Sequence, residues 1–278
     1  MPITHHPFEF NIGPLPITGF GIAVLLAFVI AQIVSQHELL RRGYKTESDA
    51  IPDLILACVI GTLVGGKIYY ATLVVGDWSE LFSRAGFVFW GGFTGSIIAC
   101  WIVIRWRKLS FARFADVGGI AIAAGYSVGR TGCWAVGDDY GRPWDGPLAV
   151  MFPEGAPAST AANMQQLFGI PIPEGTSPGT VLAVHPTQLY ETALGFVMFM
   201  ILWRFRKHKH AEGWLFGMYL VLAGAERFFI EFFRAKDDRY IGSLTLAQVI
   251  AITLATIGII VMQVRRRTTV ATPRPSAA

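Results

Sequence analysis

The chain has 278 residues, of which 53% are hydrophobic and only 15% charged, with a mean hydropathy of +0.48 and a formal net charge of +4. Soluble globular chains carry about 25% charge, and disordered chains combine high charge with low apolar content, so both classes are excluded. Seven membrane spans of about 20 residues would use about 140 residues, leaving room for loops and one modest extramembrane element but not for a second large soluble domain.

The opening MPITHHPFEFNIGPLP lacks the basic region of a secretory leader, so the first span is expected to insert and be retained. Apolar segments then follow at about 17–35, 51–74, 87–104, 114–134, 186–203, 214–232 and 244–264. Small residues punctuate them as Gly61/Gly65, Gly91/Gly95 and Gly125/Gly129, a spacing that permits close helix contact in lipid. Every odd-numbered segment ends in a basic cluster: Arg41, Arg42 and Lys45; Arg105, Arg107, Lys108 and Arg113; Arg204, Arg206, Lys207 and Lys209; Arg265, Arg266 and Arg267. Positive charge stays cytoplasmic, which predicts an all-α, seven-span transmembrane domain over 1–267, N-terminus outside and C-terminus inside, followed by a flexible cytoplasmic tail at 268–278. Basic residues at alternate helix ends exclude a nucleic-acid surface, which would gather them on one soluble face.

The loop at 135–185 falls on the outer side. It is rich in Pro and Gly, carries Asp138, Asp139, Asp145, Glu154 and Glu174 against the single basic Arg142, and is expected to form a small external cap with a short helix at 161–168. Cys58, Cys100 and Cys133 show no spacing for a disulfide framework or a zinc site, and no metal or cofactor is expected.

Charged residues at membrane depth face the protein interior. Here they gather at the outer ends of their segments: Lys67, Arg130, Glu191, Glu226, Arg227, Glu231 and Arg234. Arg227, Glu231 and Arg234 are spaced i, i+4, i+7 on one helix face, and Gln188 and Glu191 are spaced i, i+3. At least two guanidiniums in such a patch suit the phosphate of an anionic phospholipid, through the planar fork of arginine. The same arginines can equally pair with Glu226 and Glu231 as ties between helices. His185 stands before Pro186, where it can act as an orienting residue or as a catalytic one.

GRTGCWAVGDDYGRP, VHPTQLYE, GAERFFIEFFR and, in the third segment, WGGFTG resemble the hallmark stretches of the prolipoprotein diacylglyceryl transferase family, in order and over the first to the seventh segment. The resemblance implies a multi-pass enzyme of the bacterial inner membrane with a small periplasmic head. It would move the diacylglyceryl group of phosphatidylglycerol to the lipobox cysteine thiol of a prolipoprotein, releasing glycerol 1-phosphate without a cofactor. It further implies that Arg130 and Arg227 hold the lipid phosphate, that Gly141 matches an essential glycine, and that Asp138 stands where the family has Glu. Glu231 and Arg234 match the family's acid and second arginine, His185 and Tyr190 its HPxQLYE motif, and Gly91 and Gly92 its paired glycines. The expected catalytic set is Arg130, Arg227, His185, Glu231 and Asp138, the expected lipid-binding set is Arg130, Gly141, Arg142, Tyr190, Arg227, Arg234, Gly91 and Gly92, and a monomer is expected.

Two positions depart from that pattern. Trp90 replaces the histidine before the paired glycines, and Cys133 replaces an asparagine. An indole has only a donor N–H and cannot serve as a base, so His185, Glu231 and Asp138 are the available proton acceptors. The departures keep two further readings open: a phospholipid-dependent transferase with another acceptor, and a lipid-binding or transport protein that has lost the chemistry.

Overall fold

The computed structural model describes residues 2–13, 15–83, 86–236 and 239–266. The tail expected at 268–278 and Arg267 lie outside the described residues. The chain is mostly helical, and a long helix forms on each apolar segment. These are α1 (Gly19–Arg41), α3 (Ile51–Tyr69), α4 (Phe89–Trp106), α5 (Phe111–Val136), α7 (Thr187–Phe205), α8 (Trp214–Ile230) and α9 (Leu246–Arg265), with short α2 (Lys45–Ser48) and α6 (Ala161–Gln166) between them. Among the described residues, four stretches are long and apolar enough to cross a membrane: Gly19–Arg41, Lys45–Val75, Phe89–Trp106 and Leu246–Arg265. The other three long helices carry ionic residues within their length: Asp116 and Arg130 in α5, Glu191 in α7, and Glu226 and Arg227 in the 17-residue α8.

Local chemistry sets the helix ends. α3 starts with Pro52 in its first turn and runs on as a wider π turn (Tyr70–Val75) that stops at Gly76, whose φ of 78° is left-handed. α9 starts two residues later than hydropathy alone suggests because Thr245 and Gln248 form a reciprocal capping box, with Gln248 N donating to Thr245 Oγ1 (3.2 Å) and Thr245 N donating to Gln248 Oε1 (3.1 Å).

The chain divides into two compact units, residues 32–117 and residues 1–31 with 118–278. In the first unit, α3 packs on α4 along facing glycines. A Cβ on Gly61 would meet Ala99 Cβ at 2.8 Å, and one on Gly65 would meet Gly95 Cα at 2.9 Å. Backbone approach this close needs residues without side chains. At the other end of this unit the basic residues are matched by acids. Glu38 accepts from Arg41 Nε (2.7 Å) and Arg42 Nε (2.6 Å), Arg107 pairs with Asp53, and Arg113 pairs with Glu47 while lying 3.6 Å over the Tyr44 ring.

In the second unit the same device recurs between α8 and α9, where a Cβ on Gly217 would meet Gly258 O at 2.8 Å. The long loop after α5 is a packed body. Strands β1 (Ile3–Thr4), β2 (Val150–Met151) and β3 (Ala183–Val184) form one sheet, with β1 parallel and β3 antiparallel to β2. They cover a core of Tyr140, Val150, Phe152, Met164, Ile170, Val184 and Ala235. Ser159 ties this core internally, accepting from Phe152 N (3.0 Å) and donating to Leu182 O (2.9 Å). Thr160 caps α6, which falls inside the helix expected at 161–168. The N-terminal strand, which hydropathy does not signal, completes the sheet.

Phe152 is fully buried and stacks on Tyr140 with ring centroids 5.3 Å apart. Phe152→Ala should therefore cost about 3–5 kcal/mol, as for other buried aromatic truncations. A thermal midpoint equal to that of the parent would contradict this packing.

Candidate active site

α5, α7 and α8 each carry one ionic residue into the same region of the second unit. Arg130 of α5 pairs with Glu191 of α7, and its Nη1 donates to Asp139 Oδ2 at 2.8 Å. Arg227 of α8 lies 2.8 Å from Glu231 and 3.9 Å from Glu191. Arg234, in the turn after α8, donates to Asp139 Oδ1 (3.1 Å) and lies 3.7 Å from Glu191 and 3.8 Å from Glu231. Three guanidiniums thus alternate with three carboxylates. The side chains of Glu191 and Glu231 are 2% and 1% exposed, and that of Arg227 34%. Arg130 Nε, Arg234 Nε and both Glu231 oxygens are buried without a hydrogen-bond partner among the described residues. Such groups are costly unless something polar meets them.

A second layer of contacts holds this cluster against the cap. Gly141 N donates to His185 O and Arg142 N to Phe233 O, both at 2.8 Å, so the segment after α5 runs between the entry to α7 and the exit of α8. A Cβ on Gly141 would clash with Phe233 O, and would meet His185 Cβ at 2.7 Å and Thr187 Cγ2 at 2.8 Å. The guanidinium of Arg142 is spent on backbone carbonyls, those of Arg234 (3.0 Å) and Lys236 (2.8 Å). Thr187 Oγ1 donates to Asp139 O (2.7 Å) and Gln188 Nε2 to Asp138 O (2.6 Å), fixing the two aspartates, the second at a left-handed φ of 58°.

The adjacent aspartates have opposite electrostatics. Burial and the neighbouring Asp139 charge push the Asp138 carboxyl above its ordinary value, and its Oδ1 accepts the Asp139 N–H at 2.6 Å. Burial also acts to raise Asp139, but the guanidiniums of Arg234 and Arg130 outweigh it and hold Asp139 below the usual carboxylate range. His185 sits in an aromatic surround, stacked on Trp144 (4.2 Å) and edge-on to Phe233 (5.2 Å), with Nδ1 3.3 Å from Tyr190 Oη. Burial lowers its pKa, which keeps the imidazole neutral at physiological pH.

Of the residues singled out from sequence, Arg227 and Arg234 meet Glu231 directly, Arg130 joins them through Glu191 and Asp139, and Cys133 Sγ accepts from Arg130 Nη1 at 3.3 Å. Gly141, Arg142, His185 and Tyr190 form the supporting layer, and Asp138 flanks the cluster. Trp90, Gly91 and Gly92 belong to the other unit. There Gly91 and Gly92 serve helix packing, their missing Cβ atoms lying against Gly65 and Tyr69, and against Phe87 and Thr62. Trp90 is 48% exposed and stands edge-on to Phe89 and Phe93. Sequence reasoning chose Asp138 and left out Asp139, although Asp139 carries two of the three guanidiniums. It noted Glu191 at membrane depth but gave it no role. Among the described residues no group of three His, Cys, Asp or Glu side chains is placed to hold a metal.

Residues 7–264 match the sequence profile of a family described as prolipoprotein diacylglyceryl transferase. The chain belongs to this family. It is 30% identical over 282 residues to the phosphatidylglycerol–prolipoprotein diacylglyceryl transferase of Xanthomonas oryzae pv. oryzae, covering 96% of this chain and 93% of that one. Proteins of the same name from Oleidesulfovibrio alaskensis (29% identical, 92% and 91% covered) and Chlorobaculum tepidum (31%, 85% and 81%) are similar to it over comparable lengths. The chain is therefore a transferase of lipoprotein biosynthesis and a multi-pass membrane protein, in which family the cluster of arginines and carboxylates finds its setting.

Because Asp139 has a lower pKa folded than unfolded, its pairs stabilise the fold above the ordinary carboxylate range and cease to do so as pH falls through the folded value. Asp139→Asn should lower the thermal midpoint at neutral pH and flatten its decline on acidification; a decline as steep as the parent's would show that the pairs contribute nothing. Gly141→Ala should cost about 1–3 kcal/mol through overpacking, read in the same melting experiment.

Proposed function

We propose that the chain transfers the diacylglyceryl group of phosphatidylglycerol to the cysteine thiol of a prolipoprotein. The observation that carries this is the convergence of Arg130 and Arg227, from α5 and α8, on the one carboxylate of Glu191. In the reaction the thiol sulfur bonds to the glycerol carbon bearing the phosphate. The carbon–oxygen bond breaks, its electron pair stays on the phosphate oxygen, and glycerol 1-phosphate leaves. No electrons change hands overall, so a redox cofactor is not called for. Charge grows on the departing phosphate, and guanidiniums held in place beforehand lower the barrier most where charge develops. Arg130 and Arg227 take that role, with Arg234 behind them and with Asp139 and Glu191 as their anchors.

The thiol proton needs an acceptor. Glu231 is engaged by Arg227, and His185 is enclosed by Trp144, Tyr190 and Phe233. Asp138 is raised toward neutrality while its neighbour is held ionised, the pattern that separates a proton-transfer carboxyl from an anchoring one. We assign it the acceptor role. The protein would work as a monomer in the bacterial inner membrane, on seven spans, with the N-terminus and the 135–185 cap outside and the C-terminus inside. Trp90, which cannot act as a base, favours one second reading: a transferase of the same lipid with another acceptor.

In detergent or nanodiscs with phosphatidylglycerol and a lipobox peptide, Arg130→Ala and Arg227→Ala should each lose about 1.5–3 kcal/mol of transition-state stabilisation while remaining folded. Wild-type turnover in both would make the arginines helix ties. Asp138→Asn should abolish transfer and His185→Ala should spare much of it; the reverse order would move the base to His185. If the parent consumes phosphatidylglycerol but modifies no lipobox peptide, the second reading takes over. For orientation, cysteines placed at the exposed Ser177 and Lys108 should be labelled from opposite sides of the membrane, and labelling from one side would reject the topology.

A further inference from the structure

Directly beside the arginine cluster lies a polar pair that the scheme above does not use. Tyr126 Oη of α5 donates to Glu226 Oε1 of α8 at 3.0 Å. Each partner adjoins a phosphate-site arginine in sequence. Tyr126 is one turn before Arg130 on α5, and Glu226 immediately precedes Arg227 on α8. The third helix is touched as well. Gly195 of α7 lies one turn after Glu191, and a Cβ there would stand 2.9 Å from Tyr126 Cδ1 and 3.2 Å from Ser127 Cα. Ser127 Oγ, next in line, donates to Thr192 O at 2.9 Å. The Tyr126 ring therefore rests on α7 at its one glycine in this turn, while its hydroxyl reaches α8.

We infer that Tyr126 and Glu226 are positioning residues for the anionic headgroup: their hydrogen bond, seated on Gly195, fixes α5, α7 and α8 in the register that aims Arg130 and Arg227 at one site. The argument is geometric. A guanidinium on a long, flexible side chain is directed by where its Cα sits, and Arg130 and Arg227 share a target only while α5 and α8 keep their relative height. The Tyr126–Glu226 side-chain hydrogen bond joins those two helices, one turn or less from both arginines. An apolar pair would pack equally well but would slide; a hydrogen bond made away from water has one good length and direction. The inference rests on the proposed function for its choice of lipid, but not for the bond itself.

The test is native mass spectrometry of the full chain in nanodiscs, comparing retention of phosphatidylglycerol with that of phosphatidylcholine, alongside turnover and thermal melting. Tyr126→Phe and Glu226→Ala should each lower the preference for the anionic lipid by roughly tenfold, a magnitude typical of sub-ångström misplacement in a binding site. They should do so with little change in melting. Glu226→Gln should keep the preference, because its amide oxygen still accepts from the phenol. Gly195→Ala should reproduce the loss by displacing the ring with both polar groups intact, and it stands in if either of the other two fails to fold. A double variant Tyr126→Phe/Glu226→Ala should be no worse than either single change. Unchanged lipid preference in Tyr126→Phe and Gly195→Ala, or a Glu226→Gln as impaired as Glu226→Ala, would overturn the inference. Absence of diacylglyceryl transfer by the parent would instead refute the proposed function, while the binding readout would still decide the role of the pair.

Discussion

The second unit is organised around the cost of one buried carboxylate. Glu191 is almost entirely shielded on α7, and an isolated charge there would be unstable by several kcal/mol. Its neutralisation needs cations from other elements, and Arg130, Arg227 and Arg234 supply them from α5, α8 and the turn beyond. Each arginine then needs further acceptors, which Asp139 and Glu231 provide. The cap segment is drawn in by the same demand, because Asp139 can reach two guanidiniums only if Gly141 threads between His185 and Phe233. A single electrostatic requirement thus couples three helices, one turn and the cap, and the places where it is met most tightly are those where glycine alone fits.

Much of this was legible in the sequence, in proportion to how local each signal is. Each long helix could be placed within a few residues, because apolar runs of this length leave little else for the backbone to do. The Gly61/Gly65 and Gly91/Gly95 pairs announced a close helix contact, and these four glycines do face one another. Spacing put Arg227, Glu231 and Arg234 on one helix face, but α8 ends at Ile230, so only Arg227 and Glu231 meet as helical neighbours and Arg234 reaches the same carboxylate from the turn beyond. The N-terminal strand could not be foreseen, since two residues pairing with a strand almost 150 positions away leave no periodic trace. The choice between Asp138 and Asp139 was equally hidden. The two are adjacent and identical, and the left-handed backbone that turns the second toward the arginines comes from contacts with Thr187 and Gln188.

The paired glycines beside Trp90 show how a motif read through resemblance can carry a different physical duty. From sequence, Gly91 and Gly92 were candidates for lipid contact. In the structure their first task is to let α4 approach α3, where Tyr69 and Gly65 occupy the space a side chain would take. Gly91 also lines an open apolar groove of about 470 Å³ between these helices.

Under the proposed function, tying helices together and binding an anion would compete for the same guanidiniums, and the arginines of the cluster differ in how far they are already committed. Three guanidiniums facing three carboxylates sum to no net charge, so a phosphate can gain a foothold only where a guanidinium retains unused capacity. Arg130 and Arg234 are each held by Asp139 and again by Glu191, and their side chains are only 12% and 17% exposed. They are fixed in direction, with a buried Nε on each left without a hydrogen bond. Arg227 has one close partner, Glu231, reaches Glu191 only at 3.9 Å, and is the most exposed of the three at 34%. Under the proposed function Arg130 would meet the phosphate from a fixed position, with Arg234 fixed behind it, and Arg227 would be the one able to turn toward an arriving phosphate without leaving a buried carboxylate unmatched, since Arg234 also approaches Glu231 and Glu191. Under the proposed function ion pairing and anion binding would be successive uses of the same groups: the pairs hold the site in shape before lipid arrives, and the least committed member would exchange a partner when the headgroup enters.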